Sequence, residues 1–263
     1  MKSFVLSVAN IKFGIHLLHA EALYKHLIEK YRLFICPAHA PNNVDVKLYF
    51  LVSPRYSNKG RVANNITFEE EKDVIFFRLS PNRYCGKYDI SNKEGYFIIP
   101  PRKEFFNTIL RIILAAVNNK KILLLHAASV VENKKGILLI GLPETGKTTI
   151  SKKYSPENVL SDELSILLYE NNKYYLCSSP FHSGEVKPAK LHTKVELCKI
   201  YLLSRHNLEK TEIVNYVLKN AIFSSKESYT GNLKHVKKIL SKFSPSVADI
   251  KSFFQYRETG VKK

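Results

Sequence analysis

The run Gly136-Ile-Leu-Leu-Ile-Gly141-Leu-Pro-Glu-Thr-Gly146-Lys147-Thr148-Thr149-Ile150 constrains this chain more than any other stretch. Its apolar opening reads as a buried strand, and Gly-x-x-x-x-Gly-Lys-Thr then leads into a short helix. Glycines let the backbone curl so that successive N–H groups face a polyphosphate. The helix that follows adds the positive end of its dipole. Gly141, Glu144, Thr145, Gly146, Lys147, Thr148 and Thr149 are therefore the expected contacts to a nucleoside triphosphate. Lys147 would reach the outer phosphates and the Thr148 hydroxyl would ligate Mg²⁺. The competing account is a plain glycine-bearing turn between strand and helix.

Flanking segments extend the pattern. Ile122 to Val131 is a long apolar strand carrying one histidine, His126. The link Glu132-Asn-Lys-Lys-Gly136 is short enough for a hairpin and too short for a crossover helix. The strand leading into the loop is thus expected to have an antiparallel neighbour. After the loop, a helix over about 147–154 ends at Ser155-Pro156. It carries the chain about 12 Å away, and Asn158-Val-Leu-Ser161 returns a similar distance as a strand. Asp162 and Glu163 then arrive level with the loop, at the carboxyl end of a strand beside it, where open α/β sheets bind ligands. Acids in that place suit Mg²⁺ binding or proton abstraction from a hydroxyl.

Bulk properties narrow the class. Four scattered cysteines, Cys36, Cys85, Cys177 and Cys198, lack zinc spacing and read as reduced thiols of a cytoplasmic protein. No apolar run approaches a membrane span, and the first residues lack a secretory signal pattern. The net charge of +18 raises nucleic-acid binding as a possibility. Its lysines, however, are spread singly along the chain without aromatic–basic clusters, which favours a solvated basic surface around an anionic ligand.

The first hundred residues read as a small α+β domain: a strand at 3–8, a helix over 17–31, and strands at 44–52, 74–79 and 96–99. Pro100-Pro101 marks the expected boundary between domain 1–100 and domain 101–263. A helix with an apolar stripe at Phe106, Ile109, Leu110, Ile113, Leu114 and Val117 opens the second part. A hairpin over 164–177, a strand at 195–203 and helices over 208–218 and 233–243 complete it. The loop 178–188 mixes His182, Glu185 and Lys187, with Glu185 placed to reach the metal and the two basic residues to reach phosphate. A plain surface loop is the alternative there.

From Leu123 to about Leu203 the order of these features resembles the C-terminal domain of HPr kinase/phosphorylase, within the phosphoenolpyruvate-carboxykinase-like P-loop fold. The resemblance rests on Leu-His126-Ala, the hairpin, the Gly141–Thr149 loop, the short helix, and Leu-Ser-Asp162-Glu163. It implies an α/β kinase-like core with a mixed sheet, and Asp162 as base toward an accepting serine. Asp162 would also help hold Mg²⁺, with Glu163 standing where the family has a second Asp. The family's Glu-x-Arg-Gly signature has no counterpart here; Ser183-Gly184-Glu185 is the nearest echo.

The expected activity is transfer of a phosphoryl group from Mg²⁺·ATP to a hydroxyl: a serine of a peptide or protein first, a small molecule second. Asp162, His126 and Lys147 are the candidate catalytic residues, and Thr148, Asp162, Glu163 and Glu185 the candidate metal ligands. His126 has a packed core histidine as its alternative role. The rival readings are a non-catalytic nucleotide-sensing module and a nucleic-acid-associated NTPase. A homo-oligomer stays open.

Overall fold

The computed structural model describes residues 1–36, 43–54, 66–79, 83–117, 121–183, 185–186, 188–189, 191, 194–204, 206, 208–224, 226–249 and 252–253, with 210 and 226–228 as backbone only. The chain divides into two compact units, Met1–Asn118 with Phe223–Ser228, and Asn119–Ile222 with Tyr229–Lys263. Each is α/β with a mixed sheet.

The first unit holds β1 (Lys2–Val8), β2 (Ile11–Leu18), α1 (Glu21–Lys30), β3 (Val46–Val52), β4 (Ile66–Glu71), β5 (Val74–Leu79), β6 (Arg83–Asp89), β7 (Glu94–Ile99) and α2 (Lys103–Val117). The sheet order is β1-β2-β3-β7-β6-β5-β4, with β2, β3 and β7 parallel and the other pairs antiparallel. Alternation sorts its side chains by face. Phe13, Ile15, Leu17, Leu48, Phe50 and Phe97 are buried with the apolar side of α2. Each such side chain contributes about 1.5–3 kcal/mol. On the other face His16, Tyr49 and Tyr96 stack across three neighbouring strands.

The structure corrects the expectation of a helix from Leu17. Leu17 and Leu18 belong to β2, and α1 starts at Glu21. Ala9 and Asn10 both have positive φ, so a two-residue turn joins β1 to β2 without glycine. That turn carries no glycine to mark it, which is why β2 escaped the sequence reading. β4 and β6 were likewise not anticipated. The helix after Pro100-Pro101 groups with the first unit, so the division falls one helix later than those prolines. The stripe over 103–117 finds its apolar partners there, with Phe106 packed on Phe50 and Tyr31.

The second unit holds β8 (Ile122–Leu125), β9 (Ala127–Glu132), β10 (Lys135–Gly141), α3 (Lys147–Ser151), β11 (Val159–Ser161), β12 (Ser165–Glu170), β13 (Lys173–Cys177), β14 (Val195–Leu203), α4 (Lys210–Lys219), most of α5 (Lys226–Phe243) and β15 (Ser246–Ala248). Its order is β11-β9-β10-β14-β13-β12-β8, with β15 also on β14. The pair Asn133-Lys134, both at positive φ, makes the tight turn between β9 and β10, so β9 is the expected antiparallel neighbour. Asn171-Asn172 does the same between β12 and β13.

β8 and β9 are one strand interrupted at His126, and β11 and β12 are one strand interrupted at 162–164. The two run antiparallel side by side, from Val159 opposite Val130 to Leu168 opposite Ile122. The sheet therefore curls, and its ends come together along this pair of broken strands. Its longer-range parallel pairing is β10 with β14.

Candidate phosphate-binding site

The site begins where β10 ends. Gly146 has φ 96°, a conformation glycine adopts without strain, and Glu144 shares the left-handed region at φ 64°. These two residues curl the backbone between β10 and α3. Gly141 has a steric role instead: a β-carbon there would lie 2.3 Å from Thr145 Oγ1 and 3.0 Å from the Leu203 carbonyl oxygen. The Thr145 hydroxyl donates to the Leu142 carbonyl at 2.8 Å, closing the loop on itself. Thr148 is half-buried and Thr149 exposed on the first turn of α3.

Lys147 is only 7 % exposed. Its ammonium donates to the carbonyls of Gly141 at 2.5 Å and Leu142 at 2.9 Å, and no carboxylate pairs with it among the described residues. Burial pushes its pKa down from 10.5 to about 8. A buried ammonium held by two loop carbonyls is short of compensating negative charge.

The strand registers place the other candidates. Ile140 lies opposite Ala127, the last pair of the β9–β10 ladder, and His126 is the bend that immediately precedes it in the chain. On the far side of β9, the interrupted strand brings 162–164 beside 126–128, and Ala127 N–H donates to the Glu163 carbonyl at 3.1 Å. The strand bearing Asp162 is thus separated from β10 by β9, two strand spacings or about 10 Å away. This corrects the expectation of a strand directly beside the loop. Ser161 lies level with Leu138, both opposite Ser129, three residues before β10 ends at Gly141.

The pairing shifts by one residue between Val159 and Ser161, so β11 is irregular just before Asp162. Ala128, Val130, Ile137 and Leu139 form one face of the sheet, and Ile150 of α3 packs on it. Gly141, opposite Leu203 of the same cluster, lies on that face. The shift sets Ser161 opposite Ser129, and the strand breaks at Asp162 itself. The Ser161 hydroxyl accepts from the N–H groups of Glu163 at 3.3 Å and Leu164 at 3.0 Å, which fixes the break. The Ser165 hydroxyl ties the resumed strand to the Ala127 carbonyl at 2.9 Å.

Asp162 is 2 % exposed and accepts from Ser183, whose backbone N–H reaches Oδ1 at 3.1 Å and whose hydroxyl donates to Oδ2. Glu163 and His126 are half-buried, and the His126 backbone N–H donates to the Asn220 carbonyl at 2.6 Å. Glu185 is exposed and pairs with Lys152 at 2.6 Å, so its carboxylate is turned to the lysine just past α3. Lys187 and Gly184 lie outside the described residues; His182 is half-buried next to Ser183. Among the described residues no three His, Cys, Asp or Glu side chains converge on a point.

Two contributors were not legible in the sequence. Tyr216 of α4 donates its hydroxyl to the Leu203 carbonyl at 2.5 Å and accepts from Leu142 N–H at 3.3 Å, so it joins the loop to the end of β14. No local motif marks it, because its partners lie in distant segments. Ser183 meets Asp162 across 21 residues of chain, a contact that no local pattern marks. No helix is long and apolar enough to cross a membrane. No family model matches this chain, and no curated protein matches it.

Proposed function

We propose that this chain is an ATP-dependent phosphotransferase acting on a hydroxyl, with a core of the HPr-kinase type. The observation that supports the reading is a strand, a glycine-curled loop and α3 around the buried Lys147 ammonium, with the buried Asp162 carboxylate at the end of the strand on the far side of β9. The antiparallel strand next to β10 favours this kind of core over an all-parallel one. A serine of a peptide or protein is the preferred acceptor.

Lys147 has the charge and the position to leave its two loop carbonyls for the outer phosphates. Magnesium bound with a nucleotide usually takes one or two protein oxygens and keeps water and phosphate for the rest. The Thr148 hydroxyl and the Asp162 carboxylate suit that need, with Glu163 next to them; Glu185 would first have to part from Lys152. When bound, the ion neutralises charge on the transferring phosphate. Asp162 takes the proton of the acceptor hydroxyl, and His126 stands between it and the loop strand. Positioning and charge compensation then supply most of the rate.

Asp162→Asn tests this. Nucleotide affinity should stay within a few fold, while ATP consumption and transfer fall by about a hundredfold or more, the scale of a lost general base. Unchanged consumption in the variant would remove the proposed mechanism.

A further inference from the structure

We infer that Ser183 is a phosphoryl acceptor within the chain itself, held at Asp162 by the segment that follows β13. This rests on the phosphotransferase reading and names one substrate of that site. Ser183 Oγ donates to Asp162 Oδ2 and accepts from Glu185 N–H at 3.2 Å. The accepted N–H occupies a lone pair of the oxygen, so the hydroxyl proton is directed at the carboxylate. That is the arrangement of a nucleophile before its base.

The segment leading to Ser183 is pinned to the strand that carries Asp162. Ser179 N–H donates to the Leu160 carbonyl at 2.9 Å, and Phe181 N–H to the Ser179 hydroxyl at 3.2 Å. Ser179 and Phe181 are fully buried, His182 is half-buried, and Ser183 is the first exposed residue after them. Burial thus anchors the segment up to Ser183, which is itself an exposed residue. The two acids nearest in sequence to this contact are differently engaged: Glu185 lies on Lys152, and the Glu163 backbone is tied to Ser161 and Ala127.

In the transfer step Ser183 Oγ attacks the γ-phosphorus of ATP and an O–P bond forms. The bond from that phosphorus to the bridging oxygen breaks, its electron pair stays on ADP, and the hydroxyl proton passes to Asp162 Oδ2. The products are phosphoserine and ADP. The new phosphate carries about two negative charges and stands against a carboxylate, which repels it. The segment then leaves Asp162, and the base is free for an acceptor from outside.

The test incubates the full-length chain with γ-labelled ATP and Mg²⁺, followed by peptide mapping. Label should appear on Ser183, up to one phosphoryl group per chain, at a fractional rate independent of protein concentration. It should vanish in Ser183→Ala and in Asp162→Asn, and return as phosphothreonine in Ser183→Thr. An unlabelled Ser183 in a protein that hydrolyses ATP or labels an added serine peptide overturns this inference alone. A protein that binds no nucleotide, with or without Mg²⁺, overturns the phosphotransferase reading and this inference with it.

Discussion

Lys147 permits a quantitative test of the proposed phosphate site. Its pKa falls from 10.5 to about 8 because burial disfavours the ammonium. That drop corresponds to about 3 kcal/mol of penalty on the charged form. Below pH 8 the lysine is charged in both folded and unfolded chains, so the nucleotide-free protein bears the whole penalty. Between pH 8 and 10.5 the unfolded chain holds more protons, so stability rises with pH across that window. A bound triphosphate reverses the balance, because its charge favours the ammonium. Binding above pH 8 must therefore take up a proton, and affinity should fall about tenfold between pH 7 and pH 9, or about 1.4 kcal/mol. Titration calorimetry with a non-hydrolysable ATP analogue, in buffers of different ionisation enthalpy, reads both the affinity and the proton count. Lys147→Gln removes the titrating group and is the control for titration of the ligand: weaker binding, with no proton uptake beyond that of the ligand. If the natural protein and Lys147→Gln show the same pH profile, Lys147 does not meet the phosphates and the reasoning fails.

Gly141→Ala should weaken nucleotide binding tenfold or more with the fold retained, since the new methyl displaces the Thr145 hydroxyl and crowds the Leu203 carbonyl; equilibrium binding and circular dichroism check both halves. Tyr31→Phe should cost about 1–3 kcal/mol in urea unfolding, because the buried Tyr31 hydroxyl donates to Asn107 Oδ1 and its loss leaves that oxygen unpaired. Lys134→Gly should stabilise by about 1 kcal/mol, since Lys134 sits at φ 62° in the turn between β9 and β10; a drop in the urea midpoint would contradict the turn assignment.

Much of the loop region was readable because its signals are local. The strand into Gly141, the glycines, Lys147 and the hairpin length at 132–136 each act within a few residues, and the antiparallel neighbour followed from chain length alone. The strand at 11–18 was not readable, because the turn before it uses Ala9 and Asn10 where a glycine would have announced it. Nor was the grouping of 103–117 with the first unit, since an apolar stripe shows that a helix is buried and not against what.

The sequence by itself determined the loop and the order of strand and helix around it. Tertiary structure decided the rest. A single-residue shift between Val159 and Ser161 bulges the strand just before Asp162, and the strand order puts β9 between that strand and the loop strand. Tyr216 and Ser183 reached the site from segments far along the chain. Strand alternation has a period of two, so one extra residue reverses every side chain beyond it, and neither that residue nor a distant hydroxyl leaves a mark in local sequence.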